Sequence, residues 1–258
     1  MAEDTFTGKV VIVTGGGSGI GAATAHRFAA AGATVVIIGR TRANLDKVVS
    51  AAPAGSTLVA QVGDISDEGG ITGLVDGVAR DHGRLDTLVN NAATCEPLGS
   101  VSDIDAAGWR RLMSTDLDGV FFTSRAALPH LRAVGGSIVN VVSASGLGGD
   151  WGLAAYDAAK GAVTNLTNAM ALDHGAEGVR VNAIHPSMIS TDMTAGFLQS
   201  NEIIAAALNR VPLQRFGDPA EAASVITFLA SPAASYVNGA HIRVDGGLGA
   251  SNGNPHLA

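Results

Sequence analysis

Apolar residues in this chain fall into short unbroken runs, separated by longer stretches where they recur every three or four positions. The short runs, at residues 10–13, 34–38, 57–62, 87–90, 137–142, 180–184 and 241–244, are rich in β-branched residues, and most are apolar at consecutive positions. A strand with one wet face alternates apolar and polar residues, whereas an unbroken run marks a strand covered on both faces. The longer stretches, at 22–31, 67–81, 106–131, 156–174 and 219–230, are rich in alanine and carry helical spacing. The first stops at Gly32, a natural helix terminator. The second opens on Asp67 and Glu68, and the last follows Asp218 with Pro219, both favourable helix starts. Strand and helix alternate, which predicts an α/β fold: a doubly wound parallel sheet of about seven strands with helices on both faces. No Pro- or Ser-rich linker divides residues 1–258, so one domain is expected, with 249–258 as a polar tail.

Composition narrows the function classes. Hydrophobic residues make up 47% of the chain and charged residues 15%, enough to build a large core and too apolar for disorder. The net charge is −7 and the basic residues are scattered, which argues against nucleic acid or an anionic membrane as partner. No run approaches the ~18 apolar residues of a membrane span, and the acidic N-terminus has no secretory pattern. The single cysteine, Cys95, precludes an internal disulfide. A cytoplasmic protein is the expectation. The seven histidines show no metal-ligand spacing, so no metal site is expected, and His185, beside Pro186, reads as structural.

The first strand runs into Thr14-Gly-Gly-Gly-Ser-Gly-Ile-Gly21 and a helix follows at once. Gly15, Gly19 and Gly21, with Gly17, Ser18 and Ile20 between them, permit a tight turn and a close approach of backbone to a pyrophosphate. The helix start then supplies free N–H groups and partial positive charge. A plain strand–helix turn is the alternative, but the position after the first strand favours a dinucleotide site. The second strand ends Gly39-Arg40-Thr41-Arg42, with no acid for a ribose 2′-hydroxyl. Arg40 and Arg42 suit a 2′-phosphate instead, so NADP(H) is favoured over NAD(H). Asp64 and Ile65, after the third strand, are placed to meet the adenine; Asp64 equally suits a helix cap.

Tyrosines number two and lysines three, yet Tyr156 and Lys160 stand four apart within one helical stretch and share a face. The bland reading is a contact along the helix. Ser143, at the end of the fifth strand, changes the balance, because ligands of open α/β sheets sit at the C-terminal ends of the strands. A carbonyl there can be held by the hydroxyls of Tyr156 and Ser143. Tyr156 then protonates the oxygen as hydride reaches carbon, and Lys160 is expected to lower the phenol from its ordinary value of about 10. Lys160 is also expected to hold the nicotinamide ribose.

These residues resemble the short-chain dehydrogenase/reductase family, in its single-domain branch. The resemblance runs from Lys9 to about Gly247 and rests on Thr14–Gly21, Asn90-Asn91-Ala92, Ser143, Tyr156-x3-Lys160, the segment Arg180–Pro186 and Val244-Asp-Gly-Gly247. It implies a Rossmann sheet, a homotetramer packed through long helices, and reversible oxidation of a secondary alcohol to a ketone. It also implies that Asn90, Asn91 and Ala92 lie along the cofactor, with Pro186, Ile189 and Thr191 near the nicotinamide. Three positions depart from the pattern: Ala93 and Ser187 stand where the family usually carries glycine, and Asp116 where it carries a catalytic asparagine. An aspartate accepts hydrogen bonds but has no amide N–H to donate. It also adds a charge near Lys160, which points either to an altered pH profile or to weakened catalysis.

Leu147, Trp151, Met188, Met193 and Phe197 lie in the two loops expected to cover a small carbonyl or alcohol substrate, with 187–210 as a lid. Ordinary loop packing is the competing account. Cys95 is expected to line the pocket without reacting. Two other functions stay open at this level: an NAD(H)-dependent alcohol dehydrogenase, and a cofactor-binding regulator whose catalysis Asp116 has impaired.

Overall fold

The computed structural model describes residues 5–196 and 200–253. Seven parallel strands form one sheet in the order β3-β2-β1-β4-β5-β6-β7. They are β1 (Val10–Thr14), β2 (Thr34–Gly39), β3 (Thr57–Val62), β4 (Thr87–Asn90), β5 (Ser137–Val141), β6 (Arg180–Pro186) and β7 (His241–Val244). Nine α-helices accompany them among the described residues: α1 (Gly19–Ala30), α2 (Arg42–Ser50), α3 (Glu68–His82), α4 (Ala106–Met113), α5 (Gly119–Arg132), α6 (Ala154–Gly175), α7 (Asp192–Ala195), α8 (Asn201–Leu208) and α9 (Pro219–Ala230).

The unbroken apolar runs have a direct structural cause. Val11, Val13, Val35 and Ile37 point to one face of the sheet and pack beneath α1, α2 and α9, around Phe28, Leu45 and Ile226. Their neighbours Val10, Ile12, Val36 and Ile38 point to the other face, against α3, α5 and α6, around Ile71, Leu131 and Met170. Successive residues therefore serve two cores, each buried side chain contributing roughly 1.5–3 kcal/mol. The chain order reverses between β1 and β4, which opens a crevice at the C-terminal ends of these strands.

Several boundaries differ from expectation. Helix α1 begins at Gly19, three residues early, so the glycine-rich turn itself supplies the first helical turn. The stretch expected as one helix over 106–131 is divided by a π-helical turn, Ser114–Asp118. Helices α2, α7 and α8 were not legible: α2 buries only Leu45 and Val48, and α7 and α8 bury nothing completely. The expected tail also starts late. Gly249 and Ala250 belong to a tight turn in which Asp245 accepts the Gly249 N–H and Arg243 donates to the Gly249 carbonyl. Among the described residues no helix is long and apolar enough to cross a membrane.

Candidate active site

A cavity of about 1090 Å³ opens at the switch between β1 and β4. That exceeds a drug-sized pocket and suits a dinucleotide with a small second molecule. One end is the glycine turn, where Gly15, Ser18, Gly19 and Ile20 form the wall. Gly15 and Gly19 have φ of 64° and 52°, which side chains disfavour. A Cβ on Gly21 would lie 2.3 Å from the Gly15 carbonyl oxygen, so Gly21 holds the helix against the turn. Ser18 gives α1 no side-chain cap, leaving its first N–H groups for an anionic ligand. Gly17 and Gly21 shape this cradle from behind; neither lines the cavity.

Thr14 fastens the cradle to β4. Its hydroxyl donates to the Val89 carbonyl and accepts the Asn91 and Ala92 N–H groups. The Asn91 amide in turn donates to the Thr14 and Gly15 carbonyls, and Asn91 and Ala92 stand in the wall. Asn90 does not lie along the cavity as the resemblance implied. Strand alternation turns its side chain into the core, where it bonds Thr123, Ser124 and Asn140.

The two arginines after β2 part company. Arg40 lines the cavity and forms no ion pair among the described residues, whereas Arg42 opens α2 and pairs with Asp46 at 2.8 Å. Arg42 is thereby directed along its own helix and away from the crevice. Asp64 and Ile65 line the far wall. Burial opposes the Asp64 charge, yet two hydrogen bonds from Ser66 and the nearby Arg40 hold its carboxyl below the ordinary range.

The reacting end is built from β5, the π-helical turn and α6. Ser143 lies just past β5 in extended backbone, and Tyr156 and Lys160 lie in the first two turns of α6. The Tyr156 hydroxyl stands close enough to Ser143 to feel its hydroxyl, and both residues line the cavity. Lys160 lies behind Tyr156, its ammonium 5.3 Å from the ring centroid and 2% exposed. Its Nζ is 3.1 Å from Oδ2 of Asp116, which is fully buried in the π-helical turn. This is a charge contact more than a directed bond, since Oδ2 has no well-aligned donor. The other oxygen, Oδ1, accepts the Thr94 N–H at 2.8 Å. The ammonium is thus turned to Asp116 and does not form the cavity wall.

Electrostatics here depart from the sequence reading. Burial pushes the Tyr156 phenol above its ordinary value; Lys160 and the nearby Ser143 hydroxyl pull it down, while Asp116 pushes it up. The net shift is upward, not the depression expected from Lys160 alone, because burial of the phenol outweighs the lysine charge and Asp116 adds to it. Burial works against the Lys160 ammonium, but Asp116 and Tyr156 outweigh it and keep it protonated. For Asp116 itself burial prevails over the pull of Lys160 and the Thr94 N–H, and its carboxyl is raised.

Pro186, Met188, Ile189, Thr191 and Met193 form the roof with Trp151. Thr191 caps α7 through its side chain, and Thr194 donates to the Ile189 carbonyl at 2.6 Å. Leu147 is exposed and outside the cavity wall, which corrects its placement in a substrate pocket; the short turn after Ser143 carries it past the opening. Phe197 lies outside the described residues. Cys95 does line the cavity, and burial and then Glu96 push its thiol up, leaving it protonated. Sequence reasoning missed Leu98, Ser145, Asp150, Ile203 and Leu248, all in the wall. A serine two residues after Ser143 was the one signal available. Among the described residues no three His, Cys, Asp or Glu cluster as metal ligands.

This geometry agrees with what the chain is similar to. A family model described as enoyl-(acyl carrier protein) reductase matches residues 15–249. The meso-2,3-butanediol dehydrogenase of Serratia marcescens is 48% identical over 252 residues, covering 98% of this chain and 99% of that protein. An NADP-dependent (R)-specific alcohol dehydrogenase of Lentilactobacillus kefiri is 38% identical over 249 residues, covering 95% of this chain and 98% of its own. The crystal structure of levodione reductase superposes with a TM-score of 0.92 at 33% identity, over 95% of this chain and 99% of the other. The chain belongs to the short-chain dehydrogenase/reductase family. It is an NAD(P)(H)-dependent oxidoreductase with the Rossmann-like sheet of that family.

Proposed function

We propose that the protein transfers a hydride between NADP(H) and a small ketone or secondary alcohol, with Tyr156 as general acid and base. The observation that carries this is Tyr156, beside Ser143 in the wall of the cavity that the glycine cradle ends, with Lys160 and Asp116 sealed behind it. When bound, the nicotinamide supplies or accepts the hydride. The cradle of Gly15, Ser18, Gly19 and Ile20 would hold the pyrophosphate, Arg40 the 2′-phosphate, Asp64 and Ile65 the adenine, and Ile189 and Thr191 the nicotinamide end. In reduction, the Ser143 hydroxyl turns its proton from Ser145 to the substrate oxygen and steadies its growing charge, and Tyr156 gives that oxygen a proton. In oxidation the proton returns from the alcohol to the Tyr156 phenolate.

The cavity wall favours a substrate with a second oxygen beside the first. Ser143 donates to Ser145 at 3.0 Å, and Ser145 donates to Asp150. The carboxylate of Asp150 lines the cavity and accepts hydrogen bonds. A vicinal diol, or the hydroxyketone formed from it, places one oxygen on Tyr156 and Ser143 and the other on Ser145 and Asp150. The butanediol dehydrogenase relative supports the same class.

One set of initial-rate measurements tests cofactor and substrate together. NADPH is expected to outperform NADH in kcat/KM, and Arg40→Asp to reverse the order. 2,3-Butanediol is expected to outperform 2-butanol, with the margin lost in Asp150→Ala. Faster turnover with NADH in the parent sinks the role given to Arg40, and equal rates for diol and mono-alcohol sink that of Asp150. If both cofactors bind and neither alcohol turns over, the proposed substrate class is wrong.

Exposed Trp109, Phe121 and Leu172 on α4, α5 and α6 support assembly as a homotetramer through these helices. Sedimentation velocity at four times the 25.8 kDa chain mass is the expected result, and a monomer overturns it.

A further inference from the structure

The catalytic end of β5 is tied to β6 by a side chain. Backbone pairing between these strands runs from Ser137 to Val141, and one further bond joins the Val142 N–H to the Ile184 carbonyl. Beyond that point the ladder stops, because β5 gives way to a short turn at Ala144–Gly146. The Ser143 carbonyl accepts the Gly146 N–H at 3.0 Å within its own turn, and Nδ1 of His185 at 2.7 Å from β6. His185 is fully buried, with its ring 5.2 Å from that of His241 on β7. His185 Nε2 lies 3.0 Å from His241 Nδ1, and His241 Nε2 lies 2.8 Å from Oδ1 of Asn168 on α6.

The proton positions along this string follow from one fact. A carbonyl oxygen only accepts, so His185 must carry its proton on Nδ1. In the neutral ring Nε2 is then an acceptor, and His241 must donate from Nδ1. The bare Nε2 of neutral His241 requires a donor, so with both rings neutral the Asn168 amide is turned over, its NH2 group taking the place of Oδ1. Burial pushes both rings below the ordinary histidine value; for His185 the charges of His241 and Arg243 act in the same direction. Arg243, on β7, is the charged group that bears on the pair, and among the described residues neither ring forms an ion pair with a carboxylate.

We propose that His185 is a positioning residue for the hydride-transfer reaction: held in one tautomer by His241 and Asn168, it fixes the Ser143 peptide and so aims the Ser143 hydroxyl at the substrate oxygen. This rests on the role given above to Ser143. The sequence signal was His185 itself, read as structural because its partner lies 56 positions away.

Two measurements test it. Long-range 1H–15N correlation of histidine-labelled protein is expected to show His185 and His241 both protonated on Nδ1. A proton on Nε2 of His185 overturns the proposal, and this readout does not depend on turnover. His185→Phe keeps the bulk and removes the donor; kcat is expected to fall about tenfold with the NADPH KM within twofold, since a small misplacement of a reacting group is that costly. His241→Phe leaves His185 in place and frees its tautomer. It is expected to give a smaller loss that shrinks as pH falls, because a protonated His185 ring carries the Nδ1 proton whatever its neutral tautomer, and it serves where His185→Phe fails to fold. Unchanged kcat in a folded His185→Phe, or a loss in His241→Phe that does not shrink as pH falls, overturns the role. An inactive parent with Nδ1-protonated rings locates the failure in the proposed reaction and not in the string.

Discussion

Replacing Tyr156 with phenylalanine is expected to lower kcat by about 10²–10⁴-fold in both directions, the usual share of a positioned acid or base. The variant keeps the ring that packs over Lys160 and removes the phenolic hydroxyl beside Ser143. Cofactor affinity should stay within about threefold, because the cradle around Gly15 and Gly19 is untouched. Stability should change little, since one hydrogen bond contributes about 1 kcal/mol. Steady-state kinetics beside a cofactor-binding titration separate the two quantities. A variant retaining a tenth or more of the parent kcat would remove Tyr156 from the chemistry.

The second large effect is a shift of the pH profile in Asp116→Asn. Asp116 raises the Tyr156 phenol, and its charge is absent from the variant. Oxidation needs the phenolate, so a lower phenol value moves the rising limb of the oxidation profile to lower pH. Reduction needs the phenol, so its falling limb moves the same way. A displacement of about one pH unit is expected for loss of one buried charge near the ring. The substitution also removes a group that holds the Lys160 proton, leaving burial to act against the ammonium. The opposite displacement, toward higher pH, would mean that Lys160 had lost its charge and that Asp116 serves mainly to retain it. The asparagine is also the residue of the wider family pattern, so the variant asks whether this chain has tuned its working pH through one side chain.

Much of the architecture was readable because two physical signals coincided. Consecutive apolar residues on β1 and β2 meant two covered faces, and the glycine turn fell where such a sheet leaves its crevice. The Tyr156, Lys160 and Ser143 positions followed from helical spacing and a strand end. What stayed hidden was set by distance along the chain or by local packing. Arg42 carries the right charge, but pairing with Asp46 four residues on takes it from the cavity. Asn90 and Asn91 are adjacent and chemically identical, and only strand alternation decides which one faces the crevice. Asp150 and His241 belong to the site through contacts that no periodicity announces. The π-helical turn at Ser114–Asp118 has no marker in the sequence, yet it buries the Asp116 carboxylate against Lys160.

The strand order carries a consequence for how the chain emerges from a ribosome. Reading outward from β1, the sheet grows first to β2 and β3 on one side, then to β4, β5, β6 and β7 on the other. Each new strand therefore meets a neighbour already synthesised, and none has to insert between two strands already paired. Assembly can keep pace with synthesis, from the first βαβ unit to the last edge. The glycine turn proposed for the pyrophosphate is made early, whereas Thr191 and the roof arrive only after most of the chain is made. On that proposal the parts for holding phosphate precede the parts for chemistry along the nascent chain.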